Sequence, residues 1–303
     1  MADKAHFLTD RELVKIERHL SAIYDRAGKE VGEAWKAYLV KVDAEIKPLQ
    51  EAYEAAKASG DREAIKRAGR KLSAVKREKT IMDAHYRKLT EQLAEEISHI
   101  NATAAAYING KLPEIYALNY NLTSEGIAAA VHGYSFELVD AATVKYLATT
   151  DETLLPYKYV DSRKDVRWNT QRVNSEVLQG IIQGDSIPNI AKRLESVTDM
   201  DFASAVRNAR TAVTGAENRG RIDSLHEAQE KGVIVRKVWT AAHDARTREA
   251  HAALDGQDAE VDEPFSSMLG KIMYPGDPDA IPANTYNCRC TLTYKVTGFR
   301  HGD

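Results

Sequence analysis

Cysteine is almost absent from this 303-residue chain, which holds only Cys288 and Cys290. So few cysteines exclude a disulfide-stapled secreted fold and are typical of a reducing compartment. Aromatic residues make up only 7%, and the net charge of −3 excludes a surface that is wholly a nucleic-acid footprint. Because the two cysteines are one residue apart, we expect them to act together, in a metal site, in packing or in a redox contact.

Long apolar runs are also missing, and none approaches the length that crosses a bilayer. The N-terminus has no basic stretch followed by an apolar core, so no secretory signal is expected. Common signatures of nucleotide-binding and metalloprotease sites, such as GxGxxG, the P-loop and HExxH, do not occur. We therefore expect a chain without a membrane anchor that is made in a cytoplasm.

Apolar residues recur at helical spacing over most of the chain, which predicts a mostly α fold. Residues 1–110 are predicted to form a long helical hairpin or coiled-coil arm that turns at residues 59–61 (Ser-Gly-Asp). A helical middle region, 111–198, and a small C-terminal α+β domain, 199–303, are expected to follow. Pro48 should kink or break the first helix, since proline removes a backbone donor.

Two further local patterns refine this expectation. Residues 109–113, which contain Gly110 and Pro113, should end the second long helix. In the C-terminal domain, residues 233–239 and 290–296 read as antiparallel strands because they are rich in β-branched residues or alternate. Between the strands, 246–254 is predicted as a short helix with Asp244 as its N-cap.

The last third of the chain carries several short motifs in a fixed order. They comprise Trp239, Asp244, Arg246, Thr247, Arg248, His251, Leu254 and Gly256, then Pro275 to Pro278, then Asn287 to Cys290, with Ala209, Arg210, Thr211, Glu217 and Arg219 upstream. Their order and spacing resemble the phage head morphogenesis domain, the Mu F-like family of minor head proteins. The resemblance implies a protein carried in a few copies inside a tailed-phage head near the portal.

From the resemblance we expect portal protein as a partner, with scaffold or major capsid protein, and packaged DNA as a further candidate. The chain would be made in the host cytoplasm, be packaged in the virion, and act by binding in procapsid assembly near the portal, with DNA packaging or ejection as a further candidate role. No reaction is implied, so an enzyme is not expected. A metal-dependent nuclease or toxin-like enzyme and an internal DNA-binding protein remain the alternatives.

Thiolates and imidazoles are good zinc ligands, which makes His251, Cys288 and Cys290 the candidate metal ligands, with His243 or Asp244 as a fourth. Some family members carry two cysteines and a histidine where this chain has other residues. We therefore expect no cofactor, and keep a structural Zn²⁺ as the alternative. Without metal, the cysteines would pack as small buried hydrophobes.

Four charged or polar residues of the same motifs suggest a structural polar core: Asp244, Arg246, Asn287 and Arg289. The Arg fork binds a carboxylate through two hydrogen bonds, so Asp244 paired with Arg246 or Arg289 would tie its turn to the last strand. We favour this role over a Cys–His catalytic one, because no loop rich in glycine adjoins either cysteine.

The first region holds a basic stretch between Arg62 and Lys79, with eight basic and two acidic residues. Candidate phosphate contacts there are Lys66, Arg67, Arg70 and Lys71. The simpler interpretation is a solvated outer helix face, because apolar residues are interleaved through the stretch.

Overall fold

A computed structural model describes residues 3–78, 84–183, 185 and 187–300. The helices are α1 (Lys4–Ser59), α2 (Arg62–Arg77), α3 (Ala84–Ala130), α4 (Ala141–Thr150), α5 (Ser162–Gln183), α6 (Ile187–Glu230), α7 (Glu249–Ala252) and α8 (Pro282–Thr285). The strands are β1 (Val233–Thr240), β2 (Asp258–Ala259), β3 (Phe265–Ser267), β4 (Gly270–Ile272) and β5 (Thr291–Phe299). The protein is thus mostly α-helical with a small C-terminal α+β region, as predicted. Across the described residues, no helix is both long and apolar enough to span a membrane.

The turn between α1 and α2 is where the sequence places it. Gly60 ends α1 with φ of 72°, a left-handed conformation that glycine adopts without a steric penalty. The Asp61 carboxylate then accepts the amides of Glu63 and Ala64 at 2.9 and 3.2 Å, which caps α2. Tyr53 of α1 lies against Gly69 of α2, so the two helices pack as a hairpin.

Neither long helix ends at its proline, so the predicted helix end at residues 109–113 is wrong, and of the two outcomes expected at Pro48 the break does not occur. Helix α1 runs through Pro48, which is exposed, so water can satisfy the carbonyl that loses its donor. Helix α3 runs through Pro113, where Leu112, Ile115 and Tyr116 are all buried. Burial of these apolar side chains on the same turns offsets the one missing hydrogen bond.

The chain divides into two compact units, each built from separate segments. The second unit comprises residues 21–103 and 160–203. Its core is aromatic and aliphatic, with Trp35 packed edge-on against Tyr38 and Tyr86. The predicted domain boundaries at residues 110 and 198 both fall inside continuous helices, α3 and α6, and remain predictions as functional divisions.

The first unit comprises residues 1–20, 104–159 and 204–303. Its antiparallel sheet has the order β2-β1-β5, and β3 and β4 form a separate hairpin. The core surrounds Trp239 of β1, which is fully buried and packs edge-on against Phe265. Strands β1 and β5 form where β-branched residues predicted them.

Helix α6 is joined to β5 by side-chain hydrogen bonds. The Asn218 amide oxygen accepts the Leu292 amide at 2.7 Å, and Arg221 Nη1 donates to the Leu292 carbonyl at 2.7 Å. These bonds satisfy both backbone groups of one β5 residue, which anchors the strand on the helix.

Candidate functional site

The site lies where α7 meets the start of β5. Helix α7 carries His251, and the residues after α8 carry Cys288 and Cys290. The exposed fraction is 1% for His251 and 2% for each cysteine. Trp239 packs edge-on against the His251 ring, with centroids 5.2 Å apart, and closes one side of the site.

Three potential metal ligands converge at this point. His251 Nδ1 lies 3.4 Å from Cys288 Sγ and 3.7 Å from Cys290 Sγ, and the three donor atoms all lie within 4.8 Å of one another. Neither His243 nor Asp244, the two candidates for a fourth ligand, joins this group. His243 instead faces Asp255, with Nε2 and Oδ2 3.1 Å apart.

The other nitrogen of His251 is held by Asn284, a residue outside the motifs that the sequence singled out. Nε2 lies 2.9 Å from Asn284 Oδ1, and Asn284 is itself fully buried. Asn284 Nδ2 donates to the Gly270 carbonyl at 3.3 Å, which orients the amide so that its oxygen faces the imidazole. Nε2 therefore carries the proton, and Nδ1 turns its lone pair toward the two sulfurs.

The two thiols influence each other's protonation. A hydrogen bond from the Cys288 thiol and, to a smaller extent, contact with His251 lower the pKa of Cys290 to about 5 against the opposing effect of burial. The same hydrogen bond, together with burial, raises the pKa of Cys288. Of the two sulfurs, Cys288 therefore keeps its proton more strongly, and Cys290 loses its proton first.

Arg289 and Asp244 meet at the rim of the site. Arg289 Nη2 donates to Asp244 Oδ1 at 2.6 Å, which joins the turn after β1 to the residue between the cysteines. Asp244 Oδ1 also accepts the Arg246 amide at 2.9 Å. The Arg289 hydrogen bond is the main reason that the pKa of Asp244 falls to about 2.

The remaining members of the predicted polar core are placed differently. Arg246 is exposed and joins the turn through its backbone amide. Asn287 has φ of 56° and donates its amide to Thr211 Oγ1 at 2.9 Å, away from Asp244. Asp244 is not the N-cap of α7, because that helix starts only at Glu249, and the carboxylate caps a separate turn.

A second polar cluster, which the sequence reasoning missed, is centred on Glu217 and Arg221 of α6. Glu217 Oε1 lies 2.8 Å from His6 Nδ1 and accepts a 2.7 Å hydrogen bond from Thr291. Arg221 binds both oxygens of Asp3 at 2.6 and 3.0 Å. Glu217 belongs to the motif set, but Arg221 was marked only by its four-residue spacing from an opposite charge, which many exposed helices share.

Helix α2 presents the predicted basic face. Lys66, Arg67, Arg70 and Lys71 are all exposed, while Leu72 is buried and the neighbouring apolar residues are half-buried. The four cations therefore share the outward side of one helix in the second unit.

Residues 171–293 match the family model described as phage Mu protein F like protein. The matched range contains the whole His251–Cys290 cluster, the Asp244–Arg289 pair and the two charged residues of α6. The chain resembles this family over the matched range, which is less than half of its length.

Individual relatives extend the match. The chain is 29% identical over 213 residues to minor head protein GP7 of Bacillus phage SPP1, covering 70% of this chain and 68% of GP7. It is 30% identical over 192 residues to NAD(+)--arginine ADP-ribosyltransferase EFV of Enterococcus faecalis (strain ATCC 700802 / V583), covering 60% of this chain but only 36% of that protein. No solved structure matches the chain significantly.

Proposed function

We propose that this protein is a minor head protein of a tailed phage that acts by binding during procapsid assembly and resides inside the virion. The observation that carries the proposal is the similarity to GP7, which extends over 68% of that protein and beyond the family match. Portal protein is the proposed first partner, and scaffold or major capsid protein the second.

The geometry of the cluster supports a binding role rather than catalysis. A Cys–His enzyme needs a thiolate and a base that reach a substrate and an oxyanion donor pair beside them. Here both thiols are 2% exposed, and the two nitrogens of His251 face the sulfurs and Asn284. The polar atoms of the cluster therefore contact one another and Asn284 within the protein.

Assembly tests the proposal directly. The chain would be co-expressed with the portal, scaffold and major capsid proteins of the same phage, and the particles would be purified with and without portal. We expect the chain in portal-containing particles and bound to isolated portal. Equal incorporation without portal would transfer the contact to scaffold or capsid protein, and absence from every particle would overturn the proposal.

The relative named as an ADP-ribosyltransferase defines the enzymatic alternative, which a separate assay addresses. Purified chain would be incubated with labelled NAD⁺ and an arginine-containing acceptor protein, and with DNA and divalent metal. We expect no transfer of label and no cleavage above buffer. Turnover that disappears in a Cys290→Ser variant would show that the non-catalytic assignment is wrong.

A contact with packaged DNA is a second candidate function, because four exposed cations share one face of α2. Each phosphate contact adds about −0.9 to the slope of log affinity against log salt. Reversing Lys66, Arg67, Arg70 and Lys71 to glutamate should therefore reduce that slope by about 3–4 and weaken binding at low salt.

The matched control reverses four exposed cations scattered along α1 in the same unit: Arg26, Lys29, Lys36 and Lys41. Both variants carry the same net charge, so a difference between them measures clustering on α2. If the two variants lost DNA affinity equally, the loss would be explained by net charge alone, and the α2 face would be an ordinary solvated surface.

A further inference from the structure

We infer that His251, Cys288 and Cys290 form a zinc site, with one Zn²⁺ ion held by the imidazole Nδ1 and both sulfurs. The inference is independent of the proposed function, because it follows from the positions of three side chains. Solvent would supply the remaining ligand, since among the described residues no fourth His, Cys, Asp or Glu joins the group.

The distances between donor atoms match the expected coordination. Zinc binds sulfur at about 2.3 Å and imidazole nitrogen at about 2.1 Å in a tetrahedron, so neighbouring S and N ligands should stand about 3.6 Å apart. The two observed separations from His251 Nδ1 are 3.4 and 3.7 Å. Both thiols thus lie at the separation from the nitrogen that a shared ion requires.

The surroundings of His251 supply an observation of a different kind. A metal-binding histidine usually donates its second nitrogen to an oxygen, which fixes the tautomer and aims the ring. Asn284 does this here at 2.9 Å, and it is fully buried and held in turn by Gly270. The sequence had supplied only the three ligands, whereas the structure adds the group that orients one of them.

Charge also selects the ion. Two thiolates carry −2, so a divalent cation gives a complex with no net charge, which is the form that a buried site accepts at least cost. The mixture of soft sulfur and imidazole favours zinc over magnesium or calcium, which prefer oxygen ligands. The Cys290 amide, 3.4 Å from Cys288 Sγ, offers a donor that would stabilise a thiolate there.

Bound zinc would join α7 to the start of β5. Helix α7 has only four residues and its N-cap residue makes no side-chain capping bond. Such a short helix is marginal by itself. The ion would stabilise this helix by linking His251 to Cys288, which is 37 residues away in sequence.

The experiment uses the full-length chain without a metal-affinity tag, purified from zinc-supplemented culture. Plasma mass spectrometry should find about one zinc per chain, and metal-free protein titrated with Co²⁺ should develop thiolate-to-cobalt charge-transfer absorption. Zinc should also raise the thermal unfolding temperature of the metal-free protein. These three measurements on unaltered protein do not depend on any variant folding.

Variants then locate the ion. A Cys288→Ser, Cys290→Ser double variant should lose the zinc and the cobalt absorption, while the control His243→Gln, an exposed histidine outside the cluster, should keep both. Wild-type protein with far less than one zinc, no cobalt band and no thermal shift would overturn the inference. Full zinc retention by the double serine variant would overturn it as well, because the ion would then lie elsewhere.

Discussion

Replacing Arg221 with methionine should strongly destabilise the first unit, because this side chain joins three segments of the chain. The Arg221 side chain is 6% exposed and that of its partner Glu217 is 3% exposed. Its guanidinium bonds Asp3, Glu217, the Asn119 side chain and the Leu292 carbonyl. Methionine has a similar length but donates none of these bonds.

The magnitude follows from burial. Removing one partner of a buried ion pair costs about 3–5 kcal/mol, because the other charge stays buried without compensation. A fall of about 3 kcal/mol in the free energy of opening raises amide exchange by about two powers of ten. Hydrogen exchange followed by mass spectrometry should show this rise in peptides from β5 and from the start of α1, which Arg221 links.

Arg219→Met is the matched control. Arg219 lies on the same helix and pairs with Asp223 four residues away, but its side chain is 27% exposed. We expect a cost of about 1 kcal/mol or less. If both variants raised exchange in β5 equally, or if Arg221→Met left the start of α1 as protected as in wild type, the buried network would not hold these segments together.

Three further predictions concern single side chains. Although burial opposes it, Glu217 raises the pKa of His6 to about 9, so charged His6 stabilises the fold fully below pH 6.5 and loses this effect as pH rises through 9. Urea unfolding midpoints should therefore show His6→Gln about 2–3 kcal/mol less stable than wild type at pH 6 and similar to it above pH 9. A stability difference that stays constant with pH would contradict this. Burial lowers the pKa of Lys237 to about 8, against 10.5 in the unfolded chain. Between pH 8 and 10.5 the folded state therefore binds fewer protons than the unfolded state, so the free energy of unfolding should rise over this range. Lys237→Met should lack this rise in the same urea measurement. Asp244→Asn should weaken the bond to Arg289 and so speed amide exchange at the 244–248 turn, while global stability stays nearly unchanged. If the variant instead unfolded globally at a lower temperature than wild type, the exposed pair would do more than hold the turn.

Local chemistry explains which elements were predictable. Gly60 and Asp61 act within three residues of themselves, one through positive φ and the other through a cap, so their turn could be predicted. The helix end predicted at Pro113 was wrong because the decisive contribution is not local. The penalty of a proline is local, but the burial that offsets it at Pro113 comes from packing of distant residues.

The candidate site shows a similar division. Cys288, Cys290 and His251 could be grouped because two are neighbours in sequence and the third belongs to the same motif set. Asn284 could not be assigned as the residue that orients His251, because an asparagine before a turn usually has a backbone role. Asp244 was expected to cap α7, whereas the helix starts later and leaves the carboxylate to its own turn and Arg289.

The sequence alone predicted the mostly helical content and the β1 and β5 strands, and it carried the resemblance to the Mu F-like family. Periodicity, β-branching and motif order are properties of residues close together along the chain. That residues 3–10 pack with α6 and β5, more than 200 positions away, follows only from the fold. A buried guanidinium must find its acceptors wherever the chain brings them. Arg221 donates hydrogen bonds to Asp3, Asn119 and Leu292, and no local sequence pattern predicts these partners.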